Sequence, residues 1–294
     1  MQVIDTAIVA PQARVTDYVE LTKPRITFLV LVTTAVGYAL GAATSFHPGV
    51  FVALLAGTAL VSGGASALNQ WAERDADARM ARTASRPLPT GRLAPADALA
   101  FGLAISAIGL VLLAGAVNWL TALLALGSLS SYVLAYTPLK RVTSLCTLVG
   151  AVPGAIPPMM GWAAARGTLD RQAWALFGVL FLWQLPHFLS IAWIYREDYA
   201  RGGFPMLPVT DPGGASTARQ SVAYAAALVP VTLLAGAFAA AGNLYLFGAA
   251  GLGLVFVGCT IVFALRRSVR AARLVFLVSV LYLPAVLGLM VLDR

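Results

Sequence analysis

Residues 48–87 read PGVFVALLAGTALVSGGASALNQWAERDADARMARTASRP, an uncharged run through Leu68 followed by the most densely charged segment of the chain. The uncharged part is long enough to cross a bilayer, because about 20 residues of helix span the hydrocarbon core. From Asn69 to Pro87 the chain then places three of its twelve carboxylates and four arginines. On a helix turning about 100° per residue, Asn69, Glu73 and Asp77 follow at i, i+4 and i+8 and fall within roughly 80° of one another. One amide and two carboxylates thus share a helix face where a span meets the membrane surface. Hard oxygen donors that leave positions for phosphate oxygens suit Mg²⁺. Asp75 points to another face and is expected to be solvated or paired with Arg79, its i+4 neighbour.

The rest of the chain repeats the apolar half of this pattern. Sixty per cent of its 294 residues are apolar and 11% charged, and the mean hydropathy is +0.83; this is the composition of a polytopic membrane protein. Nine uncharged spans can be marked, at 26–46, 48–68, 98–117, 119–139, 142–165, 172–195, 220–241, 244–265 and 274–292. The expected fold is all-α with nine transmembrane helices, residues 1–25 forming an N-terminal tail and 26–294 one membrane domain. Prolines and glycines inside the spans are compatible with membrane helices, where neighbours satisfy the freed backbone groups. Alternate connections are short (His47, Asn118, Gly242-Asn243), whereas loops 69–97 and 196–219 are long. Hairpins closed tightly on one side leave the other side to loops, where sites usually sit.

With the N-terminus inside, 17 of the 20 Lys and Arg residues fall on the cytoplasmic side, and only Arg166, Arg171 and Arg294 fall opposite. The positive-inside rule therefore predicts a cytoplasmic N-terminus and an outer C-terminus. The net charge of +8 is thereby accounted for by topology and implies no nucleic-acid partner. The first 25 residues have neither the apolar core of a signal peptide nor the acid-poor look of a transit peptide, and an uncleaved tail in a prokaryotic plasma membrane is expected. Cys146 and Cys259 both lie in apolar spans, so they read as buried small hydrophobes. No C-x-x-C pair supports a thiolate metal site.

The polar clusters collect on the side assigned to the cytoplasm: Asn69, Glu73, Asp77, Arg82 and Arg86 after the second span, Tyr136 to Arg141 after the fourth, and Tyr195 to Pro208 after the sixth. Carboxylates beside arginines are what a metal diphosphate needs, since acids hold the ion and Arg or Lys neutralises the remaining oxygens. A solvated loop with surface ion pairs is the plainer reading of any single charge, but two acidic clusters at span ends on one side favour a site.

Asn69-x₃-Glu73-x₃-Asp77 resembles the N-x-x-x-D-x-x-x-D signature of the UbiA-type intramembrane prenyltransferase superfamily. The continuation Asp77-x-x-Met80-x-Arg82-Thr83-x-x-Arg86-Pro87 is similar to its heme O synthase branch. So are Leu21-Thr-Lys-Pro-Arg25, Tyr136-Thr-Pro-Leu-Lys140-Arg141, Gly150 to Trp162, Trp183-Gln-Leu-Pro-His187-Phe188 and Arg196 to Gly203. The resemblance implies transfer of a farnesyl group from farnesyl diphosphate to a vinyl carbon of haem B, giving haem O, with Mg²⁺ as cofactor and a haem A synthase as downstream partner. It also implies that Asn69, Glu73, Asp77 and Asp198 hold the metal, and that Lys23, Arg25, Arg82, Arg86, Tyr136, Lys140 and Arg201 bind diphosphate. Two positions depart from the superfamily pattern. Glu73 stands where Asp is commoner, one methylene longer. In the second motif, D-x-x-x-D, only Asp198 is present and Gly202 stands four residues on, with Glu197 a poorly phased substitute.

His187 is the one residue inside a span with an imidazole, carboxylate or basic side chain, and such groups are functional hypotheses by default. It reads either as a haem contact, through the iron or a propionate, or as a bridge between helices to Gln184 or a neighbouring Thr. It lies 11 residues before Asp198, roughly 16 Å along one continuous helix. Two rival functions are compatible with the same composition: the same metal site acting on a quinone-precursor ring, and a small-molecule permease. A permease would place charged or unwound elements near the bilayer midplane, whereas the acids here gather at one face.

Overall fold

Proline sets where several of the long helices begin. Pro24, Pro48, Pro95 and Pro157 each occupy the first turn of a helix, where the missing N–H is no loss and φ is already helical. The computed structural model describes residues 13–42 and 45–293; residues 1–12 of the expected tail and Arg294 lie outside the described residues.

The elements run α1 (Val15–Leu21), α2 (Pro24–Gly41), α3 (Pro48–Asp77), α4 (Pro95–Ala116) and α5 (Trp119–Ser130), which continues through a π-helical turn (Ser131–Tyr136) into α6 (Thr137–Leu139). Then follow α7 (Cys146–Ala155), α8 (Pro157–Arg166), α9 (Arg171–Ile194), α10 (Arg196–Gly202), α11 (Leu207–Thr210), α12 (Ala215–Phe238), α13 (Asn243–Arg266) and α14 (Val269–Leu292). Counting α5–α6 and α7–α8 as one span each, nine spans among the described residues are long and apolar enough to cross a membrane.

The expected spans are recovered with four differences of consequence. The first helix stops at Gly41 rather than at residue 46. The second runs on to Asp77 as a single 30-residue helix, carrying the charged motif on the membrane span itself. The fifth begins at Cys146 and changes segment at Ile156, where Pro157 and Pro158 remove two successive N–H donors. The ninth starts at Val269, so Arg270 and Arg273 sit on its first turns and not in the preceding loop. Part of the expected tail is also helical: α1 packs against α3 and α4. There Arg92 pairs with the buried Asp17 at 2.6 Å and with Glu20 at 3.1 Å.

Two groups of helices pack side by side. α2, α3, α4, α5 and α8 form one, and α9, α12, α13 and α14 the other, joined by α7 against α9 and by α14 against α2. Membrane helices gain little from apolar burial between them and associate through close packing, which small residues permit. The α2–α8 crossing depends on this: a Cβ added at Gly161 would lie 2.0 Å from the Thr34 carbonyl oxygen, and one at Gly37 would lie 2.1 Å from that of Pro158.

The connections at one end are tight. Asn118 accepts the Thr121 N–H at 2.8 Å through its side-chain oxygen and donates to the Ala163 carbonyl at 2.9 Å. At the other end loop 78–94, α6, α10 and α11 fold together over the end of α3, as the alternation of loop lengths predicts.

Candidate active site

The i, i+4, i+8 face of α3 meets three separate pieces of chain. Asn69, Glu73 and Asp77 are all buried. Lys23 Nζ donates to Asn69 Oδ1 at 3.0 Å, and Asn69 Nδ2 donates to Thr137 Oγ1 at 3.1 Å. Lys140 Nζ pairs with Glu73 Oε2 at 2.9 Å. Arg86 Nη1 pairs with Asp77 Oδ2 at 2.6 Å. Each acid thus uses one oxygen on a cation. Its second oxygen, Glu73 Oε1 or Asp77 Oδ1, is buried with no hydrogen-bond partner among the described residues. Two orphaned carboxylate oxygens on one helix face are costly unless something cationic takes them.

Asp198, on α10, is brought over the same region. Its Oδ1 accepts the Ala81 backbone N–H at 3.2 Å and pairs with Arg201. Burial by itself would raise its pKa, but the hydrogen bonds from Arg201 and Ala81 outweigh that and hold it below the usual carboxylate range. For Lys140, burial alone would lower the pKa, and the Glu73 carboxylate reverses this, leaving it above the ordinary lysine value. The Lys140 ammonium also lies 4.4 Å from the Phe204 ring centroid. Arg82 has no acid partner among the described residues. Its guanidinium lies over Tyr195 at 5.2 Å and Tyr199 at 5.6 Å.

Lys23 is the least ordinary of these residues. It adopts φ 48° and ψ 65° between α1 and α2, left-handed backbone that a non-glycine residue adopts only at a cost of about 1–3 kcal/mol. Burial, then the nearby Arg86 charge, lowers its pKa to about 7. A strained backbone that delivers a desolvated ammonium to Asn69 marks this turn as part of the site.

Below the charged cluster lies a cavity of about 440 Å³. Lys23 and Tyr136 belong to both. Its wall on α3 is made by Val61 and Ala65 with the hydroxyl residues Thr58, Ser62 and Ser66, the continuation of the Asn69 face, and from Thr58 to Asn69 is roughly 16 Å of helix. The π-helical turn places Tyr132 and Tyr136 in stacked contact, with centroids 5.3 Å apart, on another wall. His187 lines the α9 side.

Several expectations need correction. Asp75 is solvated, one of its two expected states, with only a loose 3.8 Å contact to Arg74; the pairing with Arg79 does not form, because Arg79 reaches across to the Gly202 carbonyl at 3.0 Å. Glu197 is exposed and does not replace the missing second aspartate. Gly202 is packed so that an added Cβ would lie 3.0 Å from Met80 Cγ and Sδ, so the space an aspartate would need is filled by methionine. Arg25 is exposed on the first turn of α2 and, unlike Arg86, Lys140 and Arg201, makes no ion pair among the described residues. The chain turns at Tyr195 between α9 and α10, so His187 and Asp198 do not share one helix. His187 does bridge helices, but to Ser279 on α14, while Gln184 bonds the carbonyls of Ala151 and Leu180. Among the described residues no three His, Cys, Asp or Glu side chains gather as a metal cage. The acids leave positions open rather than enclosing an ion.

Thr137, Phe204 and Ser279 were not singled out from sequence. Thr137 adjoins Tyr136 in a quoted motif, and Ser279 is an isolated hydroxyl in the last apolar span. Phe204 carries no signal of its own beyond the loop it sits in.

A helical membrane scaffold with buried acids, surplus cations and an apolar cavity beneath them defines a protein that handles an amphiphile with an anionic head. The profile of the UbiA prenyltransferase family matches residues 30–282, and the chain belongs to that family. It is 51% identical over 287 residues to a protoheme IX farnesyltransferase of Solibacter usitatus, covering 95% of this chain and 98% of that protein. It is 46% identical to one from Koribacter versatilis, covering 95% and 93%. Its fold is similar to that of a solved digeranylgeranylglyceryl phosphate synthase, with a TM-score of 0.80 at 16% identity over 95% of this chain and 97% of that one. It also resembles a UbiA homologue from Archaeoglobus fulgidus bound to DMAPP and Mg²⁺, with a TM-score of 0.66 at 17% identity over 94% and 99%. The chain is thus a multi-pass membrane prenyltransferase.

Proposed function

We propose that this enzyme transfers a farnesyl group from farnesyl diphosphate to a vinyl group of haem B, forming haem O, at the cytoplasmic face of a prokaryotic plasma membrane. The observation that carries the reading is the junction at Lys23 and Tyr136, where a buried charged cluster opens directly onto a long cavity with apolar walls. A farnesyl main chain has eleven C–C bonds of about 1.5 Å, comparable in contour with the roughly 16 Å of α3 from Thr58 on the cavity wall to Asn69 in the charged cluster. Identity of 51% to a protoheme IX farnesyltransferase supports haem B as the acceptor over a quinone-precursor ring.

The donor set fits a divalent ion. Glu73 Oε1 and Asp77 Oδ1 are buried and unpartnered among the described residues, and with Asn69 and Asp198 they would hold Mg²⁺ while leaving positions for diphosphate oxygens. When bound, the ion would neutralise the leaving diphosphate. Lys23, Arg82, Arg86, Lys140 and Arg201 outnumber the three acids Glu73, Asp77 and Asp198, and this positive excess favours a polyanionic head. The electron pair of the C1–O bond leaves with diphosphate, and the allylic cation is attacked by the vinyl group. Water adds to the resulting carbocation and releases a proton. The cavity walls keep water from the allylic cation until the C–C bond has formed. The Tyr132–Tyr136 faces are well placed to stabilise positive charge.

The test is single-turnover synthesis by the purified protein in detergent. Haem B with farnesyl diphosphate and Mg²⁺ should give haem O by mass spectrometry, and 4-hydroxybenzoate in place of haem should give no prenylated ring. The opposite pattern would transfer the protein to the quinone-precursor class.

A further inference from the structure

The wall of the cavity opposite α3 holds an imidazole whose orientation is determined on three sides. The His187 ring stacks between Trp183 and Phe276, with centroids 5.1 Å away on each side. One edge is tied: Nδ1 lies 2.7 Å from Ser279 Oγ on α14. Trp183 Nε1 donates to the Ser279 backbone carbonyl at 2.7 Å, so the same residue of α14 receives two rungs from α9 and cannot drift.

The proton inventory of this contact is decisive. A serine hydroxyl has one proton to give, and Ser279 directs it at the Phe276 carbonyl, 2.6 Å away. Ser279 Oγ therefore accepts from His187, and the proton on Nδ1 belongs to the imidazole. In a neutral imidazole, Nε2 is then unprotonated and carries the free lone pair. Nε2 makes no hydrogen bond among the described residues and is not one of the sealed unpartnered atoms, and the residue lines the cavity. A bridge between helices explains Nδ1. It does not explain why the other nitrogen is left bare on a cavity wall with both faces of its ring clamped.

We infer that Ser279 is a positioning residue which, through its bond to the Phe276 carbonyl, holds His187 as the Nδ1–H tautomer so that Nε2 serves as an axial ligand to the iron of the acceptor haem. The inference rests on the haem reading above and deepens it, assigning the ligand atom and the group that orients it. Metal-bound histidines commonly donate their other ring N–H to an oxygen acceptor, which fixes tautomer and ring orientation. Here the acceptor is a hydroxyl that is itself oriented by a main-chain carbonyl.

The experiment is absorption and electron paramagnetic resonance spectroscopy of the purified protein titrated with ferric haem B, with farnesyl-diphosphate binding and thermal unfolding measured on every variant as checks of folding. Wild type should show an imidazole-ligated spectrum. His187→Gly should lose it and regain it with added free imidazole. Ser279→Ala should bind haem roughly 10–100-fold more weakly, the range seen when the partner of a metal-bound histidine is removed, with an altered spin state. Ser279→Thr, which keeps the hydroxyl, should resemble wild type even if the alanine variant fails to fold. An unchanged spectrum and affinity in His187→Gly would overturn the ligand assignment. Loss in His187→Gly with a folded Ser279→Ala indistinguishable from wild type would overturn the role of Ser279. A wild-type protein that binds farnesyl diphosphate but no haem would defeat the haem reading itself, and this inference with it.

Discussion

Replacing Lys140 by methionine isolates the energetics of the buried pair. The Lys140 ammonium and Glu73 Oε2 are 2.9 Å apart, with side chains 10% and 2% exposed. At that distance and an effective dielectric of about 20 the gross attraction is roughly 6 kcal/mol, most of it offset by the desolvation of both groups. The substitution therefore matters chiefly by what it abandons: a carboxylate whose other oxygen, Oε1, already lacks a partner among the described residues. Stranding one member of such a pair typically costs about 3–5 kcal/mol. Lys140→Met should destabilise the protein by that amount, and Glu73→Gln added to it should recover most of the loss. The assay is a double-mutant cycle read by denaturation in detergent without Mg²⁺, since a cation at the orphaned oxygen would mask the effect. A loss below about 1 kcal/mol in the single variant, or a double variant less stable than both singles, would refute the claim that Glu73 is buried, charged and dependent on Lys140.

Asp77→Asn and Asp198→Asn should each lower turnover by about 10²–10³, the usual cost of one electrostatic contributor, with the protein still folded; steady-state kinetics in detergent checks this. Lys23 gives a pH signature. Its folded pKa is lowered from 10.5 to about 7, so between these values the unfolded chain binds the extra proton and stability rises with pH. The burial cost is carried in full below about pH 7. The KM for farnesyl diphosphate should rise as pH passes through about 7, where the folded protein loses this ammonium, and Lys23→Met should flatten both profiles. Single cysteines at the exposed Ala78 and Ala200, in a background without Cys146 and Cys259, should react only with reagents that reach the cytoplasm. One at the exposed Thr168 should react from outside, and labelling of all three from one side would contradict the topology.

What was legible in the sequence followed from periodicity. Asn69, Glu73 and Asp77 could be set on one face because α3 is unbroken through Asp77, and the loop side was marked by the positions of the arginines. Which cation answers which acid was not legible, because loop 78–94 folds back to bring Arg86 to Asp77 and the turn after α6 brings Lys140 to Glu73. Those pairings join residues 9 and 67 positions apart, beyond any helical rule. Arg25 and Lys23 look equivalent in Lys-Pro-Arg, yet the left-handed turn at Lys23 sends one ammonium inward while Arg25 stays exposed. The expectation of a continuous helix from His187 to Asp198 failed at Tyr195, where no proline or glycine signals the break. The glycine in the second acidic motif became interpretable only with Met80 beside it.

The most direct measurement is mass spectrometry of haems extracted from bacterial cells that lack their own haem farnesylation, with and without this protein, alongside its Asp77→Asn variant. A haem heavier than haem B by one farnesyl group and one molecule of water is expected with the wild-type chain and should be nearly absent with the variant. Haem B alone in cells where the wild-type protein is folded in the membrane and farnesyl diphosphate is available would contradict that expectation.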